Sequence, residues 1–240
     1  IDWVRVSYLQ PAEIRPALLE TMATTPGVVP YYDISFQHSA STVLRRMRRF
    51  GGTDAFLELL GRIRAATPQA GIRSNVIVGF PGETEAELGE LELFLAMARL
   101  DVVGVFGYSD EEGTEAATLP GALAEELIAE RAARVGDLVE SLTSARAGER
   151  IGEEVTVLVE AIEPGESGAP PAVVGRAAVQ GPDVDGVTTL VGMPVGAPLP
   201  RIGEFVPARV VGSEGVELIA EVVLPTVVLP TVVLPTGERR

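Results

Sequence analysis

The run Arg73-Ser74-Asn75-Val76-Ile77-Val78-Gly79-Phe80-Pro81-Gly82-Glu83-Thr84 leaves few folds open. Val76 to Phe80 is continuously apolar, as expected of a parallel strand covered on both faces. Gly79, Pro81 and Gly82 then supply a turn whose backbone can approach a ligand closely. Thr84 with Glu87 has the spacing of a capping box, which predicts a helix start. Amides at such a start can hold a carboxylate or a phosphate. The plainer alternative is an ordinary strand-to-helix connection, common in all parallel α/β folds.

The surrounding chain fits that unit. Trp3–Leu9 alternates as a strand, and a helix follows over Ile14–Thr24. Val28–Phe36 reads as the next strand, with Gln37-His38-Ser39-Ala40 as its exit loop. Ser41 is placed to cap a helix carrying Val43, Leu44 and Met47, broken at Gly51-Gly52. Phe56, Leu57, Leu60 and Ile63 mark another helix, stopped by Pro68. After the central strand comes a helix with Leu88, Leu91, Leu95 and Ala98 on one stripe. Then come a strand over Val102–Tyr108 and a long helix over Leu123–Arg150, with Leu127, Val135 and Leu138 among its apolar positions. Alternating strands and helices imply a parallel sheet with right-handed crossovers over residues 1–150. Ligands of such sheets bind at the carboxyl ends of strands. That rule brings Gln37, His38, the Gly79–Glu83 turn, Tyr108 and Ser109 to one rim.

The pattern changes after Gly152. Five short β-prone runs, over 155–162, 172–179, 187–191, 205–211 and 216–223, are separated by Gly, Pro and Asp turns. They predict a small antiparallel OB-like barrel over residues 151–223. Residues 224–240 read as an extended tail, because Val-Val-Leu-Pro-Thr, repeated three times from Val222, sets a proline every five residues.

The net charge is −15, and every base is Arg. So acidic a chain is not expected to bind nucleic acid tightly, since that depends on neutralising phosphates. Residues 151–223 hold eleven acids against three Arg, which suits a basic protein partner. There is no Cys, so no residue here can hold an iron–sulfur cluster by thiolate, and no metal site is expected. No apolar run is long enough to span a membrane. The first residues have neither a starting Met nor the order of a signal peptide, so the chain is expected to begin within a domain and to be cytoplasmic.

Four stretches in order carry a resemblance: Tyr32–His38, Leu44–Arg49, Ile77–Thr84 and Phe106–Thr114. Together they resemble the methylthiotransferase family of radical S-adenosylmethionine (SAM) enzymes, and residues 151–223 sit where that family carries its TRAM domain. The resemblance implies an α/β part, 1–150, that is the later portion of a partial TIM-like radical-SAM barrel. It implies an all-β TRAM barrel after it. Gln37-His38-Ser39 resembles the branch that adds a methylthio group to the β-carbon of an aspartate in ribosomal protein S-twelve. The alternatives are the tRNA-modifying branch, or a non-catalytic ribosome-binding module. The cofactors implied are SAM and two 4Fe-4S clusters, whose cysteines this chain lacks. The chain is therefore expected to be the C-terminal part of a transferase, a monomer inactive alone, docking S-twelve through the acidic TRAM domain.

The resemblance implies SAM contacts from Gln37, His38, Gly79, Phe80, Pro81, Gly82, Glu83, Tyr108 and Ser109, and no catalytic residue of its own in this chain. The plainer reading stays beside it: a lone His is more often structural. Arg73 either serves the site or pairs with a nearby acid. The Arg45, Arg46, Arg48 and Arg49 cluster reads as a solvated helix face paired with the neighbouring acidic helix.

Overall fold

The computed structural model describes residues 1–165, 171–182, 184–193, 196 and 198–223. The Val-Val-Leu-Pro-Thr tail, 224–240, lies outside the described residues. Three strands, β1 (Tyr31–Gln37), β2 (Gly71–Val78) and β3 (Val102–Gly107), form one parallel sheet in the order β1-β2-β3. α1 (Pro16–Thr24) precedes β1, α2 (Ser41–Arg46) and α3 (Thr53–Ala66) join β1 to β2, α4 (Glu85–Ala98) joins β2 to β3, and α5 (Glu125–Glu149) follows β3.

Periodicity explains which side is covered. On α3, Phe56, Leu59, Leu60 and Ile63 recur at helical spacing and are buried, with Leu57 only partly so. On α4, Leu88, Leu91, Leu95 and Ala98 form the buried stripe, joined by Phe94. The rings of Phe36, Phe56 and Phe94 meet in tilted and edge contacts, joining β1, α3 and α4 into one core. Leu127 is an exception on α5: it is exposed, while Val135 and Val139 are buried against the sheet.

Several expectations are corrected. The central strand starts at Gly71 rather than Val76, and it is not covered on both faces. Its burial alternates, with Ile72, Ser74, Val76 and Val78 under the helices and Arg73, Asn75 and Ile77 half-open on the other face. Trp3–Leu9 makes only two isolated parallel bridges, Val4 to Val28 and Leu9 to Ile34. Tyr8, at φ 61°, breaks the extended run between them. Ser41 does not cap α2; Ala40 is the N-cap, and its amide donates to His38 Nδ1 at 3.0 Å. Nor does α2 reach Gly51-Gly52. It stops at Met47 in a Schellman turn, with Arg49 N–H donating to the Leu44 carbonyl at 2.7 Å and Arg48 N–H to that of Arg45 at 3.1 Å.

The second half is a closed barrel of β4 (Glu154–Glu163), β5 (Ala172–Ala177), β6 (Thr188–Val191), β7 (Phe205–Glu214) and β8 (Glu217–Val222), in the order β4-β5-β6-β8-β7. Its ladders are antiparallel except β6–β8, which is parallel and lets the Greek-key barrel close. Inward residues such as Val157, Val159, Val173, Leu190 and Ala220 alternate with outward ones and make its core.

The barrel is bolted to the amino-terminal ends of the sheet strands. Asp185 is buried (2% exposed) and accepts from Tyr31 Oη at 2.5 Å and the Gly181 amide at 2.8 Å. Arg73 lies 3.7 Å away, so this arginine belongs to the joint and not to the ligand rim. Burial, and then the bond to Asp185, push the Tyr31 hydroxyl well above its ordinary range, so it acts there as a permanent donor. Arg5 stacks over the Tyr31 ring and donates to the Gln180 carbonyl at 2.6 Å. No helix among the described residues is long and apolar enough to cross a membrane.

Candidate functional site

At the opposite, carboxyl ends of the strands lies a cavity of about 550 Å³, within the range of small-ligand sites. Its wall combines Gln37, Phe80, Tyr108 and Ser109 with residues the motif reading did not single out for the site, among them Asn75, Ile77 and Phe106. Asn75 and Ile77 reach it because β2 alternates. Gln37 reaches it because β1 is irregular: its pairing with β2 shifts between Ile34 and Gln37, and Gln37 takes a left-handed φ of 67°. Phe80 and Tyr108 meet edge-to-face at 5.1 Å, forming one aromatic corner. Phe106 is 54% exposed on the open face.

Three buried polar atoms of the cavity wall lack hydrogen-bond partners among the described residues: Arg46 Nε, Asn75 Oδ1 and Tyr108 Oη. Burial, followed by the neighbouring Asp110 carboxylate, pushes the Tyr108 hydroxyl up to about 12, so at neutral pH it is a protonated donor. A neutral donor, an amide acceptor and apolar walls suit a ligand that is partly aromatic and partly polar.

His38, Gly79, Pro81, Gly82 and Glu83 do not line this cavity; they form a support behind its wall. The side chains of His38 and Glu83 are both 0% exposed. Because His38 Nδ1 accepts from Ala40, its proton is assigned to Nε2, which faces Glu83 Oε2 at 3.4 Å, long for a hydrogen bond. The same carboxylate accepts the Gly79 amide at 3.0 Å and Arg131 Nη1 at 2.6 Å. Burial alone would raise the Glu83 carboxyl. The contacts from His38, the Gly79 amide and Arg131 outweigh it and hold the group below its ordinary value. Arg131 comes from α5, too far along the chain for any local motif to announce it.

Most amides of the turn ahead of α4 are already engaged. The Gly79 amide serves Glu83, that of Gly82 serves the Gly121 carbonyl at 2.7 Å, and that of Glu83 serves the Phe80 carbonyl at 2.9 Å. Thr84 N–H donates to Glu87 Oε2 at 2.7 Å in the capping box. These bonds, one of them to Gly121 of the β3–α5 loop, hold the turn in place without a ligand.

Positive charge at the cavity comes instead from the arginine cluster. Arg46, Arg48 and Arg49 all line it. Arg46 pairs with Glu87 of the acidic helix α4 at 3.2 Å, as the solvated-face reading expects. Arg48 pairs with Glu115 of the β3–α5 loop, and Arg49 donates to Gln10 Oε1 at 3.1 Å. Among the described residues no group of three His, Cys, Asp or Glu is arranged to hold a metal.

Comparison with known proteins gives this geometry relatives. The TRAM-domain family model matches residues 151–223. Over 92% of its length the chain is 62% identical to the ribosomal protein uS12 methylthiotransferase RimO of Kineococcus radiotolerans. The chain is thus similar, along about nine tenths of its own length, to proteins named as methylthiotransferases. It is 58% identical over 93% of its length to the protein of the same name in Streptomyces coelicolor, and 54% identical over 91% to that of Frankia alni. The chain spans less than half of these relatives: 45%, 44% and 43% of their lengths. All four family-like stretches fall in the parallel-sheet half and border the cavity: Gln37 lies in the first, Ile77 and Phe80 in the third, and Phe106, Tyr108 and Ser109 in the fourth. The second contributes Arg46, Met47, Arg48 and Arg49.

Proposed function

We propose that this chain is part of a radical SAM methylthiotransferase that adds a methylthio group to the β-carbon of an aspartate in ribosomal protein uS12, in the cytoplasm. The observation that carries the reading is the identity of 54–62%, along about nine tenths of the chain, to relatives named for that activity. The cavity at the carboxyl ends of β1, β2 and β3 supports it, because its size and lining fit SAM. Phe80, Tyr108 and Phe106 would flank the aromatic part, while Gln37, Asn75, Tyr108 Oη and Ser109 would orient the polar parts. His38 and Glu83 would act indirectly, by fixing the turn that carries Phe80. When bound, SAM supplies the methyl group and, on reductive cleavage, the radical that removes hydrogen from the target carbon. The residues of this chain would bind, orient and exclude water.

The iron–sulfur clusters of the family do not fit this chain, which has no Cys, so the chain alone is expected to be inactive. The domains under this reading are a radical-SAM portion over 1–150 and a TRAM domain over 151–223. The excess of acid in 151–223 supports docking of a basic ribosomal protein by the barrel.

The test is a chimera in which the chain replaces the matching region of the Kineococcus relative. Methylthiolation of uS12, read by mass spectrometry of the target aspartate, is expected. A chimera that binds its clusters yet modifies only tRNA would transfer the chain to the other branch.

A further inference from the structure

We propose that Arg48 and Glu115 form a carboxylate-exchange clasp at the cavity mouth. In the free protein Glu115 occupies the Arg48 guanidinium, and a ligand carboxylate takes its place. The inference rests on the cavity being a ligand site, but it does not require that ligand to be SAM.

The first observation is backbone conformation. Arg48 stands at the C′ position of the Schellman turn that ends α2, with φ 56°. Glycine is the favoured residue there, because a Cβ is crowded in the left-handed region. An arginine at this position sacrifices stability to place a guanidinium. Gln37, the other cavity residue with a left-handed backbone, likewise turns a polar side chain inward.

The second observation separates Arg48 from its neighbours. Arg46 meets both oxygens of Glu87, at 3.3 and 3.2 Å, and Glu87 is itself held by Thr84 and Thr42. That arginine is committed to the wall. The Arg48–Glu115 pair has 76% and 59% of its side chains exposed, so water screens it and its opening costs little. The two residues come from different walls, the end of α2 and the β3–α5 loop, so their contact at 2.6 Å spans the mouth.

The third observation is the chemistry behind the clasp. Ile77 and Phe106 give an apolar surface, and Asn75 Oδ1 and Tyr108 Oη wait without partners. A carboxylate attached to an apolar or aromatic body fills both parts, and its charge meets Arg48 in a less hydrated setting than Glu115 does. Two sources share this chemistry: the amino-acid end of SAM and the acidic side chain of a protein substrate.

The test uses the 240-residue chain and calorimetric titration, with 3-phenylpropionate and its neutral amide as generic probes. SAM against decarboxylated SAM, and a basic peptide bearing Asp against its Asn version, distinguish the two sources. Glu115→Gln removes the competitor and is expected to tighten carboxylate probes by up to about fivefold. Arg48→Gln is expected to weaken them by about tenfold or more, leaving the amide unchanged. Arg48→Gly is expected to weaken them equally while raising the melting temperature by about 2 °C, because the left-handed strain is relieved. That opposition separates a binding role from a structural one. If SAM binds but the Arg48 and Glu115 variants leave every carboxylate affinity within about twofold of wild type, the clasp is refuted and the SAM reading survives. If 3-phenylpropionate shows the Arg48 dependence and SAM does not bind, the clasp stands and the SAM reading fails. If no carboxylate probe binds the wild type, both are overturned.

Discussion

Replacing Arg131 with Met strands a buried carboxylate. The Glu83 side chain has no exposure and that of Arg131 has 8%, and the cation reaches both Oε1, at 2.6 Å, and the Glu83 carbonyl, at 3.1 Å. Deleting one partner of a buried pair costs about 3–5 kcal/mol, because the other is left uncompensated. Glu83 keeps the Gly79 amide, and Met preserves most of the arginine's apolar volume, so the loss belongs at the lower end, about 3 kcal/mol. Glu83→Gln should also be costly, since the remaining acid near Arg131 is Glu85, 3.7 Å away and 64% exposed. The double variant no longer holds an unpaired charge, and its cost should fall short of the two single costs combined by about 2 kcal/mol. Urea unfolding of all four proteins at neutral pH measures this coupling. The pH dependence gives an independent reading. The Glu83 carboxyl lies below its ordinary 4.5 in the fold, so its stabilisation is complete above 4.5 and is lost as pH falls through the folded value. Without Arg131 the folded value rises, and this acid loss should shrink or change sign. Additivity within about 0.5 kcal/mol, with an unaltered acid limb, would refute the network.

Three further outcomes follow from the same geometry. Thr84→Ala removes the capping box and should cost about 1 kcal/mol in urea unfolding; against burial, bonds from Thr42, Thr84 and Arg46 hold Glu87 at about 2, so the wild-type box should persist until pH falls from about 4.5 towards 2. Gly79→Ala should cost clearly more than Gly82→Ala: both have left-handed φ, at 79° and 76°, but a Cβ at 79 would lie 2.7 Å from Ile128 while the nearest atom to one at 82 is 3.8 Å away. Each pays the conformational cost of about 1 kcal/mol, and only Gly79→Ala adds a clash, which the same unfolding assay resolves. Asp185→Ala should uncouple the barrel from the sheet, converting a single calorimetric transition into two separated ones, since it removes the acceptor of Tyr31 and the counter-ion of Arg73.

Features written in local chemistry were legible in the sequence. Thr84 and Glu87 announce the start of α4 because a capping box needs only two side chains three residues apart. The five β-prone runs correspond to the five strands of the barrel for the same reason, since turn residues bound each one. Positions set by distant partners were not legible. His38 and Glu83 looked like ligand contacts because they stand at strand exits, yet Arg131, nearly fifty residues further on, turns Glu83 into a buried anchor. The stop of α2 was hidden because its left-handed residue is Arg48, not the glycine that usually signals a Schellman turn. Ile77 was hidden by its setting in an apolar run, which gave no period from which to read an open face, and Asn75 by standing just ahead of that run.

The position of the joint constrains how any partner uses the two halves. Asp185, Tyr31, Arg73 and Arg5 lock the barrel to the amino-terminal ends of the strands, while the cavity opens at their carboxyl ends. A strand such as β1 spans about 20 Å between those ends, at about 3.3 Å per residue. Under the proposed function, a protein held by the acidic barrel does not touch the cavity with the same surface. It must extend a segment of about six residues along the sheet to deliver its target side chain. The open face of β2 and β3 runs between those ends, from Arg73 at the joint past Asn75 to half-open Ile77 and exposed Phe106 at the cavity. A rigid joint then has a clear use: it fixes the distance such a segment has to cover. The barrel can thereby select the partner while the cavity selects the residue, and neither task alters the geometry of the other.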